Sequence, residues 1–271
     1  FGYLIDLQGD DSYTAAEEYA LGAAIAGVGI LCDDSGDDRY RGKSFSQGFA
    51  GPLGTGILLD REGDDVYAGI PQEKTERISF AQGAARGRWA EATDGHSMGG
   101  GCGMLIDGSG DDTYSAYSFS QGAAYYFGNG FLYDGEGNDS YDATSHSQGY
   151  AAHYALACLL ECSGDDGYNL YSDTTSITQI TGSGRDHSAG LLVEAAGNDE
   201  YHFGNRSLGI GDMNGIGICL DMAGSDIFRW HHNNIYGSSP SMGTVLPGKG
   251  MMNFRLVPVN TLSLGIFRDY K

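Results

Sequence analysis

GCGMLIDGSGDDTYSAYSFSQG, residues 101–122, sets the pattern for most of the chain. Its skeleton is Gly103, an apolar triplet, Asp107, Gly110, Asp112, Tyr114 and then Ser120-Gln121-Gly122. Taking Asp107 as a marker, equivalent acids stand at Asp6, Asp33, Asp60, Asp134, Glu161, Glu194 and Asp221. Five of the seven gaps between them are 27 residues and the other two are 47 and 33. A fixed period of this length is the mark of a solenoid, in which each unit buries its apolar face only against its neighbours.

The columns are strict. Two residues before the marker stands leucine in seven units and Cys219 in the eighth. Three residues after it stands glycine, five after it aspartate, and seven after it tyrosine or, once, Phe228. Gln47, Gln82, Gln121 and Gln148 each precede a glycine. Short apolar runs bounded by Gly, Asp and Ser are strand signals, and two or three per unit suit one turn of a coil. The pattern predicts an all-β parallel β-helix of about eight 27-residue coils over residues 1–228. Its insertions fall at about 68–98 and 169–189, and residues 229–271 form a C-terminal cap with a strand across the open end. Ala15–Ala26 and Ala84–Ala92 are the only helix-like stretches.

Glycine makes up 45 of 271 residues, and it falls at fixed repeat positions, as turn residues do. No apolar run reaches the ~18 residues of a membrane helix. A formal charge of −21 argues against nucleic acid as a partner. The chain opens on Phe1-Gly2 inside a repeat, which we read as a processed or excised fragment of a secreted or cell-surface protein. Cys32, Cys102, Cys158, Cys162 and Cys219 share no column in neighbouring units, so they read as buried free thiols.

Positions −3 and −1 before the marker are apolar as well as −2. Alternation along a strand then makes both faces of that sheet apolar. One face fills the coil. The other predicts a cover: a second subunit, another domain, or the two insertions.

Stacking also places like charges ~4.8 Å apart, where two carboxylates repel by about 3–4 kcal/mol at an effective dielectric near 20. The marker and +5 columns are acidic in all eight units, and +4 adds Asp10, Asp37, Asp64, Asp111 and Asp165. Either turn amides cap these acids or cations sit between coils. Gly108-x-Gly110-x-Asp112-x-Tyr114 and Gly135-x-Gly137-x-Asp139-x-Tyr141 resemble the core of the RTX calcium repeat. The resemblance covers about seven residues per unit and recurs every 27 residues instead of every nine. It implies Ca2+ held between neighbouring turns. Carried over by position, it points first at Asp112 and Asp139 and then at the other +5 aspartates; with the marker acids of the same units, the candidate ligands are Asp33 and Asp38, Asp60 and Asp65, Asp107 and Asp112, and Asp134 and Asp139.

Eight of the fifteen basic residues fall between residues 39 and 88. Lys74, Arg77, Arg86, Arg88 and His96, with Trp89, lie in the first insertion, and loops on a rigid scaffold often carry function. We read these bases as neutralising the neighbouring aspartates; the sharper alternative makes them the catalytic groups of a polysaccharide lyase-like enzyme or the contacts of an acidic-glycan binder. That alternative rests on fold analogy alone. The Ser-x-Ser-Gln-Gly runs read as an amide ladder holding the coil together. No histidine triad, nucleophile constellation or phosphate loop is visible. The sequence therefore favours a structural or protein-interaction solenoid, calcium-stabilised and packed through its apolar sheet.

Overall fold

The structure, a computed structural model, describes residues 1–70, 78–91, 93–171, 177, 179–231, 244–245 and 263–269. Every sheet pairing in it is parallel and no described residue is helical. The strands fall into three sheets, so the cross-section is three-sided. The first sheet has ten strands and contains the marker strands, such as Cys102–Ile106 and Asn129–Asp134. The second has eight strands built on the tyrosine column, such as Thr113–Ser115. The third has five two-residue strands, such as Ala124–Tyr125, three of them just after Gln82, Gln121 and Gln148. Register follows the columns: Leu132 pairs with Leu105 and Leu159, and Tyr141 with Tyr114 and Tyr168.

The core is thin because the first and third sheets touch backbone to backbone. A Cβ on Gly56, Gly103 or Gly130 would lie 2.1–2.2 Å from the carbonyl oxygen of Phe49, Ala84 or Ala123. Facing them, Ala50, Ala85, Ala124 and Ala151 are buried and small. This is why alanine clusters there, and why the helix-like stretches at 15–26 and 84–92 are not helices. Tyr19, Leu21 and Ala26 take left-handed φ of 58°, 53° and 49° at coil corners, and Ala85–Arg86 is a strand of the third sheet.

Between the first and second sheets lie the −2 leucines and the +7 tyrosines, fully buried in the middle coils. The rings of Tyr13, Tyr40, Tyr67, Tyr114, Tyr141, Tyr168, Tyr201 and Phe228 form one file. Their centroids are 4.7–5.0 Å apart and their planes within 3–10°. Each such contact adds about 0.5–1.5 kcal/mol beyond burial. Gln47, Gln82 and Gln121 act as clips instead of stacking on one another. The Gln121 amide donates to the carbonyls of Tyr114 and Asp142, spanning successive coils.

Residues 229–271 hold a feature the sequence reading left out. Leu264–Asp269 pairs in parallel and in register with Ile216–Asp221, placing Asp269 beside the marker Asp221. Its Phe267 packs edge-on against Phe228 and closes the ring file. Residues 252–259, whose apolar side chains alternate in sequence within this cap, lie outside the described residues.

Candidate functional site

The turn after the marker bends the chain so that the +5 aspartate points inward and +4 points outward. The two columns build ladders of opposite sense. The Asp112 amide donates to Asp139 Oδ1 of the following coil (2.6 Å), and the Asp139 amide to Asp166 Oδ1 (2.7 Å). On the outside the Asn138 amide donates to Asp111 Oδ1 of the preceding coil (2.8 Å), and the Asp165 amide to Asn138 Oδ1 (3.0 Å). Glycine three after the marker is required in this bend: Gly110 has φ +152°, and its Cβ would sit 1.6 Å from the Gly63 carbonyl oxygen.

The marker acids are held by the tyrosine file. The Tyr114 hydroxyl donates to Asp134 (2.6 Å) and the Tyr168 hydroxyl to Glu194 (2.6 Å), each reaching the marker of the next coil. Tyr40 reaches Asp60 at 2.5 Å, and Tyr67 and Tyr141 reach Asp107 and Glu161 in the same way. Sequence reasoning missed this link. Its trace is the near-exclusive use of tyrosine, where packing alone would accept phenylalanine.

Thirteen carboxyl side chains are buried between the first and second sheets, with relative exposures of 0–3%. Among the described residues no lysine, arginine or histidine is buried with them. Three-acid groups form at successive coil junctions, their oxygens within 4.8 Å of one another: Asp38, Asp60 and Asp65; Asp65, Asp107 and Asp112; Asp112, Asp134 and Asp139; Asp139, Glu161 and Asp166. Asp33 joins Asp6 and Asp11. All eight acids singled out from the sequence thus fall into such groups, and Glu161 and Asp166 extend the series. In every +5 residue from Asp38 to Asp226 one oxygen accepts an amide. The second oxygen, Oδ2 of Asp112, Asp139, Asp166 and Asp199, is buried with no hydrogen-bond partner.

Burial, reinforced by neighbouring acids, pushes many of these carboxyl groups upward. Asp65, Asp112, Asp139 and Glu161 rise far above the usual carboxylate range against the pull of their hydrogen bonds. Glu194 is pushed up to about 11, Asp166 and Asp221 to about 8, and Asp199 to about 7. A buried carboxylate without a counter-charge is too costly to persist, so the file holds either protons or cations. Oxygen-only donors at these separations fit a hard cation, since Ca2+ takes oxygens at about 2.3–2.6 Å.

The basic candidates lie elsewhere. Arg86 is exposed, with its guanidinium over Phe80 (5.1 Å) and Phe45 (6.0 Å). Arg88 is held by Asp94 and by the His96 carbonyl, and His96 itself is exposed on that hairpin. Lys74 and Arg77 lie outside the described residues. Neutralisation of nearby acids is seen at Arg61, which pairs with Asp34 at 2.8 Å, and at Arg88, which pairs with Asp94, whereas Arg86 lies over aromatic rings. The interior acids, by contrast, are only 0–3% exposed. The five cysteines are unpaired, Cys219 buried and the others half-buried.

The architecture is that of a parallel β-solenoid with an acid-filled interior. No protein-family model, curated protein or solved structure matches the chain. No helix among the described residues is long and apolar enough to cross a membrane.

Proposed function

We propose that this chain is a structural β-solenoid, a stiff rod whose interior acids take up calcium at the coil junctions and whose first sheet packs against a protein partner. The observation that carries the reading is the set of unpartnered, buried Oδ2 atoms of Asp112, Asp139, Asp166 and Asp199, each beside the acids of the adjoining coil. Each coil brings two interior acids, one marker and one +5. One divalent ion per coil therefore leaves the interior neutral, whereas protons would have to occupy both positions. The cation ties successive turns of the chain together, and because it binds only the folded coil its binding energy becomes folding energy. Extracellular or cell-surface placement accords with this, since calcium sites outside cells are filled at affinities of about 10⁻⁴–10⁻³ M.

Thermal unfolding of the full chain near neutral pH, with calcium and with a chelator, tests the reading. A large rise in the midpoint on adding calcium, with little response to magnesium, supports it. Equal midpoints with calcium and chelator remove calcium from the account.

A further inference from the structure

The outer face of the first sheet is apolar along its length. Its −3 column runs Ile30, Ile57, Met104, Phe131, Cys158, Leu191 and Ile218, and its −1 column alternates with it from Cys32 to Leu220. In these coils both columns are only half-buried or exposed, and neither carries a charge before Arg268. Eight rungs at ~4.8 Å and five residues at ~3.3 Å give a slab of roughly 600 Å². That is about three quarters of the ~800 Å² each partner contributes to a stable interface. Exposed Leu53, Phe127 and Tyr154 extend the slab around one long edge.

The other long edge is different. There the turns expose Asp37, Glu62, Asp64, Asp111, Glu136 and Asp165, four of which line a shallow depression of about 540 Å³. Each +4 aspartate spends one oxygen on a neighbouring amide and keeps the other outward. Arg61, the one base within these turns among the described residues, is already paired with Asp34. Slab and rail are contiguous, since each strand of the slab runs straight into a turn of the rail, as Asn129–Asp134 runs into the turn that exposes Glu136.

The geometry points to a protein partner that lays an amphipathic β-strand or sheet on this slab, its apolar face bordered on one side by lysine or arginine. A second copy is a poor occupant, because it brings a further charge of −21, and the Arg61 on its own rail is already paired with Asp34. The inference specifies the packing half of the function proposed above and is independent of what fills the interior.

The probes are two labelled peptides of alternating pattern, leucine–lysine and leucine–glutamate, titrated with the calcium-loaded full chain and read by fluorescence anisotropy. The leucine–lysine peptide is expected to bind at least tenfold tighter, with a preference that falls as salt rises. Leu191→Glu on the outer face should abolish binding without lowering the unfolding midpoint. Asp64→Asn with Asp111→Asn should cut the preference several-fold, and asparagine already serves this column at Asn138. Equal binding of both peptides, or undiminished binding to the Leu191→Glu chain, overturns the proposal. So does a dimer of this chain that Leu191→Glu disperses. A calcium-independent midpoint would refute the interior sites and leave the peptide result standing.

Discussion

Stripped of metal, the protein should become less stable as pH rises, opposite to a protein with paired surface acids. Asp166, Glu194 and Asp221 lose their protons in the folded coil only near about 8, 11 and 8, whereas in the unfolded chain they ionise near ~4. A carboxyl whose folded pKa is raised contributes its full stability below the unfolded value. That contribution is lost as pH climbs toward the folded one. Inside the window each group costs about 1.4 kcal/mol per pH unit, so these three together cost ~4 kcal/mol per unit. Between about pH 5 and 7 the loss reaches ~8 kcal/mol, comparable to the ~5–15 kcal/mol that holds a domain folded. The assay is the urea midpoint across that range in chelator, repeated with millimolar calcium. In chelator the midpoint should fall steeply. With calcium it should be restored above neutral pH, where ionised acids bind the cation at about 2.7 kcal/mol per site for a hundredfold excess over Kd. A chelator midpoint that is flat or rising from pH 5 to 7 refutes the argument that these acids are buried without counter-charge.

Other outcomes follow from single contacts. Tyr168→Phe removes the hydroxyl that Glu194 accepts at 2.6 Å and should cost about 1–3 kcal/mol in chemical denaturation. Gly110→Ala forces a Cβ to 1.6 Å from the Gly63 carbonyl and should cost more than ~3 kcal/mol or prevent folding, while Gly2→Ala, with nothing within 4 Å, should fall within about 0.5 kcal/mol of the parent. Gln121→Leu removes the amide that bridges the Tyr114 and Asp142 carbonyls, the latter keeping the Ala116 amide, and should cost ~0.5–1.5 kcal/mol. Arg88→Ala breaks a solvent-exposed pair with Asp94 and should leave the melting midpoint where it was.

Much of this was legible because a parallel coil stacks identical positions. Column identity alone placed Leu105 against Leu132 and Tyr114 against Tyr141. What the columns hid was direction. Nothing in the spacing says that +5 turns inward and +4 outward, since that depends on the left-handed bend at the intervening glycine. The third sheet was hidden because its strands are two residues long, and its alanines are small to admit a neighbouring backbone, not to build a helix. Leu264–Asp269 escaped because its marker lies 48 residues beyond Asp221, outside both the 27-residue period and its insertions. The tyrosine-to-acid bonds join residues 20 or more apart in sequence, so they emerge only once the coil closes.

The most direct measurement is the number of calcium ions held per chain, by equilibrium dialysis of the full protein at neutral pH. Seven three-acid groups lie among the described residues, and the account predicts uptake approaching one ion for each, lost together on acidification to about pH 5. A chain that stays folded at neutral pH while binding no calcium would show that protons fill the file, and the cation account would fail.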